Sequence, residues 1–189
     1  MSVKSSAATG SRWFTGQKIL HLMTGPARDK ADDVRMVRSL MSGDRSVHRI
    51  VSGGTSASIV SRVLNRPMAV SMDYDSSGLP PEGRIDGIDL VTEGVLTLAR
   101  VIQLLKEYAE PDHVDRSFFK KLDEPNPAAK VAKMIIEDCT QVRLIVGTAV
   151  NAAYQNPDLP LELGLRMNLT KQLTEAIVAV GKQVEQETY

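Results

Sequence analysis

Val47-His48-Arg49-Ile50-Val51 runs without a break into Ser52-Gly53-Gly54-Thr55-Ser56, and from there into Ala57-Ser58-Ile59-Val60-Ser61-Arg62-Val63-Leu64-Asn65. A short apolar run, a glycine turn and an amphipathic segment read as strand, tight turn and crossover helix. Ala57, Val60 and Leu64 recur at i, i+3 and i+7, which puts them on one helix face. Pro67 closes the unit, because its ring cannot continue a helix.

The same unit recurs on either side. Lys18 to Met23 is a strand stopped by Thr24-Gly25-Pro26. A helix from Ala31 to Met41 follows, with Val34, Val37, Leu40 and Met41 on one face. Asp29, Asp32 and Asp33 stand at its start, where carboxylates complement the helix dipole. Met68 to Met72 is a short third strand, and Asp73 to Gly83 a loop. Ile85 to Val91 is a fourth strand. It runs through Thr92-Glu93-Gly94 into a helix that ends near Tyr108 and carries Val95, Leu98, Ile102 and Leu105 as its inward stripe. Residues 110–126 are polar, anchored by Phe118-Phe119. Ala128 to Cys139 is a helix facing inward through Val131, Ile135 and Cys139. Val142 to Val146 is a fifth strand, followed by Gly147-Thr148-Ala149-Val150-Asn151 and a polar loop through Gln155-Asn156-Pro157-Asp158-Leu159-Pro160. A last helix runs from about Leu163 to Val180, capped by Gly181, and the tail from Lys182 to Tyr189 is an edge strand or a frayed end.

Alternating strands and helices with short turns imply parallel strands joined by crossovers. The expected fold is α/β: a Rossmann-like, open, mainly parallel sheet of four to five strands with helices on both faces. One domain would span residues 17–189, after a disordered or linker lead-in over residues 1–16 that is either a free end or the remnant of a longer chain.

Composition narrows the function. Of 189 residues, 42% are hydrophobic and 24% charged, both ordinary for a globular domain. Lys and Arg number 23, Asp and Glu 23, with no basic block, which argues against a nucleic-acid partner. Cys139 is the only cysteine, so no disulfide forms within the chain and a reducing cytoplasm is the expected home. No apolar run approaches the ~20 residues of a membrane span, and Met1 to Ser11 lacks the apolar core of a signal peptide. Aromatics are 4%, so the core must be aliphatic.

In an open α/β sheet the ligand sits beyond the carboxyl ends of the strands. Four turns there combine glycine with small polar residues. They supply the candidate ligand-binding residues Thr24 and Gly25; Gly53, Gly54, Thr55 and Ser56; Thr92, Glu93 and Gly94; and Gly147 and Asn151. The amides of Gly54, Thr55 and Ser56 open a helix and would cradle an anion. Thr92 and Asn151 would add contacts from neighbouring turns. Asp89 joins the set as a polar residue inside an apolar strand. Glu93, at a helix start, would face a ribose, an amine or an Mg2+ ion brought by a phosphorylated ligand. Its competing role is a first-turn acid on the helix dipole. Asp86 precedes its strand and belongs to a turn, and Asp73 and Asp75 are solvated loop residues. His21, His48 and His113 show no metal-ligand spacing, so no metal site is expected. Neither a Walker A motif nor Gly-x-Gly-x-x-Gly is present, no nucleophile–base pair is legible, and Cys139 is a core residue.

The segments Leu22-Met23-Thr24-Gly25-Pro26 with Asp29, Asp32 and Asp33; Val51 to Val60; Ile85 to Leu98; and Tyr154 to Pro160 resemble a bacterial family in order and spacing. It is the C-terminal α/β region of stage II sporulation protein E-like serine/threonine phosphatases, of the metal-dependent type 2C class. The likeness covers roughly residues 17–181, and Ile85-Asp86-Gly87-Ile88-Asp89-Leu90-Val91-Thr92-Glu93-Gly94 is its most specific piece. Where the family more usually has Cys-Gly-Gly-Thr-Thr, this chain has Ser52-Gly53-Gly54-Thr55-Ser56. The resemblance implies that phosphatase chemistry, with its two-metal aspartate cage, belongs to a preceding domain. No residue here matches that cage, so no catalytic residue is expected in this chain. It further implies that the strand expected after Gly181 is eroded.

Three functions stay open on this reading. The leading one is a non-catalytic regulatory domain that binds a small anionic or nucleotide-like ligand and partners a phosphatase catalytic domain or a second copy of itself. The others are a stand-alone phosphometabolite hydrolase or transferase using Asp89 or Glu93, and a structural dimerisation or docking domain.

Overall fold

The computed structural model describes residues 16–70, 78, 82–149 and 161–189. Residues 1–15 of the expected lead-in, Asp73 and Asp75, Asn151 and the 155–160 loop lie outside them. The strands are β1 (Ile19–Thr24), β2 (His48–Ser52), β3 (Ala69–Val70), β4 (Gly83–Arg84), β5 (Leu90–Thr92), β6 (Gln141–Val146) and β7 (Gln183–Thr188). The helices are α1 (Asp33–Met41), α2 (Gly54–Leu64), α3 (Val95–Ala109), α4 (Arg116–Leu122), α5 (Pro127–Lys133) and α6 (Leu161–Ala179). A wider turn over Met134–Asp138 extends α5 to Cys139.

The fold is α/β, but the sheet is seven-stranded and mixed, in the order β3-β4-β5-β2-β1-β6-β7. The expectation of a mainly parallel, Rossmann-like sheet of four to five strands is therefore corrected. Two features account for the difference. The two-residue strands β3 and β4 pair antiparallel with each other, and β4 pairs antiparallel with β5. At the other edge β7 runs parallel to β6 over six residue pairs from Gln141↔Gln183 to Val146↔Thr188. The tail is thus a strand, held although polar because β6 offers it a full ladder. Lys182 secures its start by donating from Nζ to the carbonyls of Ile136 at 2.9 Å and Cys139 at 2.8 Å.

Between these edges β5, β2, β1 and β6 are consecutive parallel neighbours. Their carboxyl ends share one edge, where the turns after them meet. Side-chain alternation with period 2 builds a core on each face. Leu20, Leu22, Ile50, Leu90, Val142, Leu144 and Val146 pack with residues of α3, α4, α5 and α6. Met23, Val51, Val91 and Ile145 pack with residues of α1 and α2 on the other side.

Several expected elements shift for local reasons. The fourth strand shortens to Leu90–Thr92 because Ile85 to Ile88 forms a turn, with Ile88 N–H on the Ile85 carbonyl at 3.0 Å and Gly87 at φ 84°. Val34 and Val95, assigned to inward stripes, are 48% and 43% exposed. Each stands in the first turn of its helix, before the helix reaches the sheet. Phe118 is buried against Tyr108, whereas Phe119 is 44% exposed. At the start of the first helix Asp29 accepts from Ala31 N–H at 2.9 Å, Asp32 pairs with Arg35 at 2.8 Å and buried Asp33 pairs with Arg62. These carboxylates serve the helix start.

Candidate functional site

The shared strand-end edge carries a cleft of about 200 Å³. It is lined by Thr24, Gly25 and Pro26 after β1, by Ser52 to Ser56 between β2 and α2, by Glu93, Gly94, Val95 and Leu98 after β5, and by Arg166, Leu169 and Thr170 of α6. Thr24, Gly25, Gly53, Gly54, Thr55, Ser56, Glu93 and Gly94 of the sequence-derived set meet here. Three do not. Asp89 lies at the amino end of β5, where its Oδ2 accepts from the Arg49 N–H at 2.6 Å and its own N–H donates to the Arg49 carbonyl at 2.9 Å. The shortening of β5 is what moved it away from the rim. Thr92 is buried and donates its hydroxyl to the Glu93 carbonyl at 2.8 Å. Gly147 is pressed onto the first turn and lines no part of the cleft.

The two helix starts in the cleft differ. Ahead of α2, Gly53 adopts φ 109°, a conformation that favours glycine. Its N–H donates to the Thr92 carbonyl at 2.8 Å and its carbonyl accepts from Ala57 at 2.9 Å. Glycine has no side chain to cap with, and among the described residues no side chain caps the amides of Gly54, Thr55 and Ser56. Ahead of α3, the Glu93 carboxylate folds back onto the helix. Its oxygens accept from the N–H groups of Val95 at 3.1 Å, Leu96 at 3.0 Å and Thr97 at 3.3 Å. The anion-binding end of α3 is therefore filled by its own acid, and the end of α2 is open. Glu93 is turned onto these amides, so the expected role facing a ribose, an amine or Mg2+ gives way to the capping role.

Ser56 adds a second polar group. It is 1% exposed, lines the cleft, and its Oγ has no hydrogen-bond partner. A buried hydroxyl without a partner is destabilising; Thr97 Oγ1 is unpartnered too, and Ser56 differs from it by lining the cleft. Arg166, on the face of α6 that also carries Leu169, Leu173 and Ile177, brings a guanidinium to the opposite wall. Its Nη1 donates to the Ala149 carbonyl at 2.9 Å. Sequence reading missed this residue. The available signal was an arginine placed three, seven and eleven residues ahead of apolar positions on an inward stripe.

The glycines separate by what holds them. A Cβ on Gly25 would stand 2.6 Å from the Gly147 carbonyl oxygen, and one on Gly147 2.1 Å from that of Pro26. Those two glycines let the turns after β1 and β6 pack backbone to backbone. A Cβ on Gly54 would meet nothing within 4 Å.

Among the described residues no group of three or more His, Cys, Asp or Glu could hold a metal ion, and no helix is long and apolar enough to cross a membrane. Cys139 is buried on the other side of the sheet edge, its thiol pushed up to about 11 by burial. No family model, curated protein or solved structure matches this chain. The resemblance to the sporulation-protein phosphatases thus finds no support there, and the site stands on its own geometry.

Proposed function

We propose that this chain is a ligand-binding α/β domain that holds a small anionic group at the start of α2, acting as a non-catalytic regulatory module. The observation that carries this reading is the pairing of three uncapped amides with the buried, unpartnered Ser56 hydroxyl in one cleft. Helix N-terminal amides and the dipole favour negative charge, and Arg166 adds a cation on the facing wall. Among the described residues lining the cleft there is no histidine or cysteine, and Glu93 is its carboxylate, engaged by α3. That lining supports binding over hydrolysis. Action beside a phosphatase catalytic domain, in a reducing cytoplasm, is supported by the sequence motifs at residues 22–33, 51–60, 85–98 and 154–160 and by the lone cysteine.

The test is thermal melting and calorimetric titration with inorganic phosphate, against chloride at matched ionic strength. Phosphate should raise the melting temperature. Gly54→Val should fold, since a Cβ there meets nothing within 4 Å, and should abolish the shift by crowding the cradle. A flat response of the natural sequence to phosphate, sulfate and phosphorylated metabolites, or a shift that survives Gly54→Val, overturns the reading.

A further inference from the structure

We infer that the ligand of this cleft is a phosphomonoester whose phosphoryl group enters the α2 cradle while an uncharged, partly apolar body rests against Val95 and Leu98. This rests on the anion-binding reading above and assigns it a chemical class. Size is the first argument. About 200 Å³ is less than the ~300–1,000 Å³ of pockets that enclose a whole ligand. The cleft can take in a head group, and the rest must lie on its lip.

Charge is the second argument. A phosphomonoester carries about −1.5 to −2 at neutral pH. The cleft offers one helix dipole of about +0.5 and the Arg166 guanidinium, with the Glu93 carboxylate in the same wall. So small a positive surplus opposes a chain of two or three phosphates more strongly than a single phosphoryl group.

The third argument is the lip itself. Val95 lines the cleft yet is 43% exposed, and Leu98 lies one turn further along the same helix face, 5% exposed at the floor. On α6, Leu165 is 47% exposed one turn before Leu169, which lines the opposite wall. An exposed valine beside three open amides is a wall for an organic body, and nothing else in the described structure covers it.

The experiment compares dissociation constants of inorganic phosphate, phenyl phosphate and a nucleoside triphosphate with Mg2+ by calorimetry. Phenyl phosphate should bind about tenfold tighter than inorganic phosphate, as expected for removing roughly 60 Å² of apolar surface from water, and tighter than the triphosphate. Val95→Ser should bring phenyl phosphate down to the affinity of inorganic phosphate. Val34→Ser, an equally exposed valine outside the cleft, should leave the ratio at its original value. Circular dichroism of both variants checks that they fold. Phosphate binding with no gain for phenyl phosphate, a gain that survives Val95→Ser, or tighter triphosphate binding overturns this inference and leaves anion binding standing. No binding of phosphate at all overturns the anion-binding reading and this one with it.

Discussion

Gly147 sits so close to Pro26 that a Cβ on it would stand 2.1 Å from the Pro26 carbonyl oxygen and 2.2 Å from its carbon. The contact is sealed by Gly147 N–H donating to the Thr24 carbonyl at 2.9 Å and Ala149 N–H to that of Pro26 at 3.0 Å. Two strand-end turns are thereby locked, and one wall of the cleft is set. Gly147→Ala must push backbone aside, and a destabilisation of about 2–3 kcal/mol is expected. Gly54→Ala is the counterpart. With open space around it and no unusual φ, it should leave stability unchanged or raise it by about 0.4–1 kcal/mol through the unfolded chain, while weakening phosphate binding. Urea denaturation of both variants separates the outcomes. Equal losses would show that the fold needs both glycines alike.

Arg49 offers a second stability test. It is buried on the α1 side of the sheet, and its guanidinium donates to the carbonyls of Leu40 at 3.2 Å, Ser42 at 3.1 Å and Asp44 at 3.0 Å. These bonds gather carbonyls from the end of α1 and the turn after it; that of Leu40 also accepts from His21 and that of Asp44 from the Val47 N–H. Arg49→Met should cost about 1–3 kcal/mol by withdrawing the guanidinium's bonds from these carbonyls. Arg49→Lys should fall between, since an ammonium keeps the charge but loses the planar fork. A loss below about 0.5 kcal/mol for Arg49→Met would mean that water takes over the guanidinium's role.

His21 lies in the same layer, and its Nδ1–H donates to the Leu40 carbonyl at 2.9 Å. Burial lowers its pKa below 6.5, opposed by the Leu40 bond and Glu187 and helped by Arg143 and Arg49. As pH falls through 6.5 the unfolded chain takes up the proton before the folded chain does. Stability is therefore full above about pH 6.5 and is lost as pH falls toward the lower folded pKa, by at most ~1.4 kcal/mol per pH unit. His21→Asn keeps a donor near Nδ1 and removes the titration. Burial alone would raise the Glu187 carboxyl, but bonds from the Ser39 and Tyr189 hydroxyls and the charge of Arg143 outweigh it and hold it below its usual value. Glu187 is therefore ionised throughout this window. The stability difference between natural and His21→Asn chains, measured in urea from pH 7 to 5, should change in favour of the variant. A constant difference would refute the assignment.

Cys139 should be chemically quiet. It is 2% exposed, with Sγ donating to the Ile135 carbonyl at 3.3 Å, and burial keeps the thiol protonated. The thiolate is the reactive form. Iodoacetamide at pH 7.5 should leave the native chain unmodified and label it fully in denaturant, read by intact mass. Labelling of the native chain at the rate of a free thiol would place Cys139 in a surface opening.

The parts legible in the sequence are those where burial on both faces leaves an apolar run broken by a single polar residue. Lys18 to Met23 and Val142 to Val146 read as strands of a parallel sheet, and the glycine turn after Val51 marked the cleft. What was illegible depends on partners distant in sequence. Gln183 to Thr188 has no apolar run, because an edge strand needs only backbone pairing on one side. Asp89 read as mid-strand because the run Ile85 to Val91 conceals a turn at Gly87. Arg166 is brought to the rim by helix packing more than a hundred residues after the glycines it faces; its local spacing marks an inward helix face but not what that face meets.

Glu93 is where stability and binding should part. Its carboxylate caps α3 through three N–H groups and stands in the wall of the cleft. Glu93→Ala removes the cap and should destabilise the chain by about 1–2 kcal/mol. Glu93→Gln keeps one acceptor and should cost less than about 1 kcal/mol. Both remove a negative charge from the neighbourhood of the α2 amides. At the effective dielectric of a surface cleft that repulsion is about 1 kcal/mol, so phosphate should bind roughly threefold to tenfold tighter. The less stable protein is thus the better binder. Differential scanning fluorimetry gives the first quantity and calorimetric titration with inorganic phosphate the second. If Glu93 instead holds the ligand, through a hydroxyl, an amine or Mg2+, both variants lose affinity together with stability, and the capping role assigned to this acid is wrong.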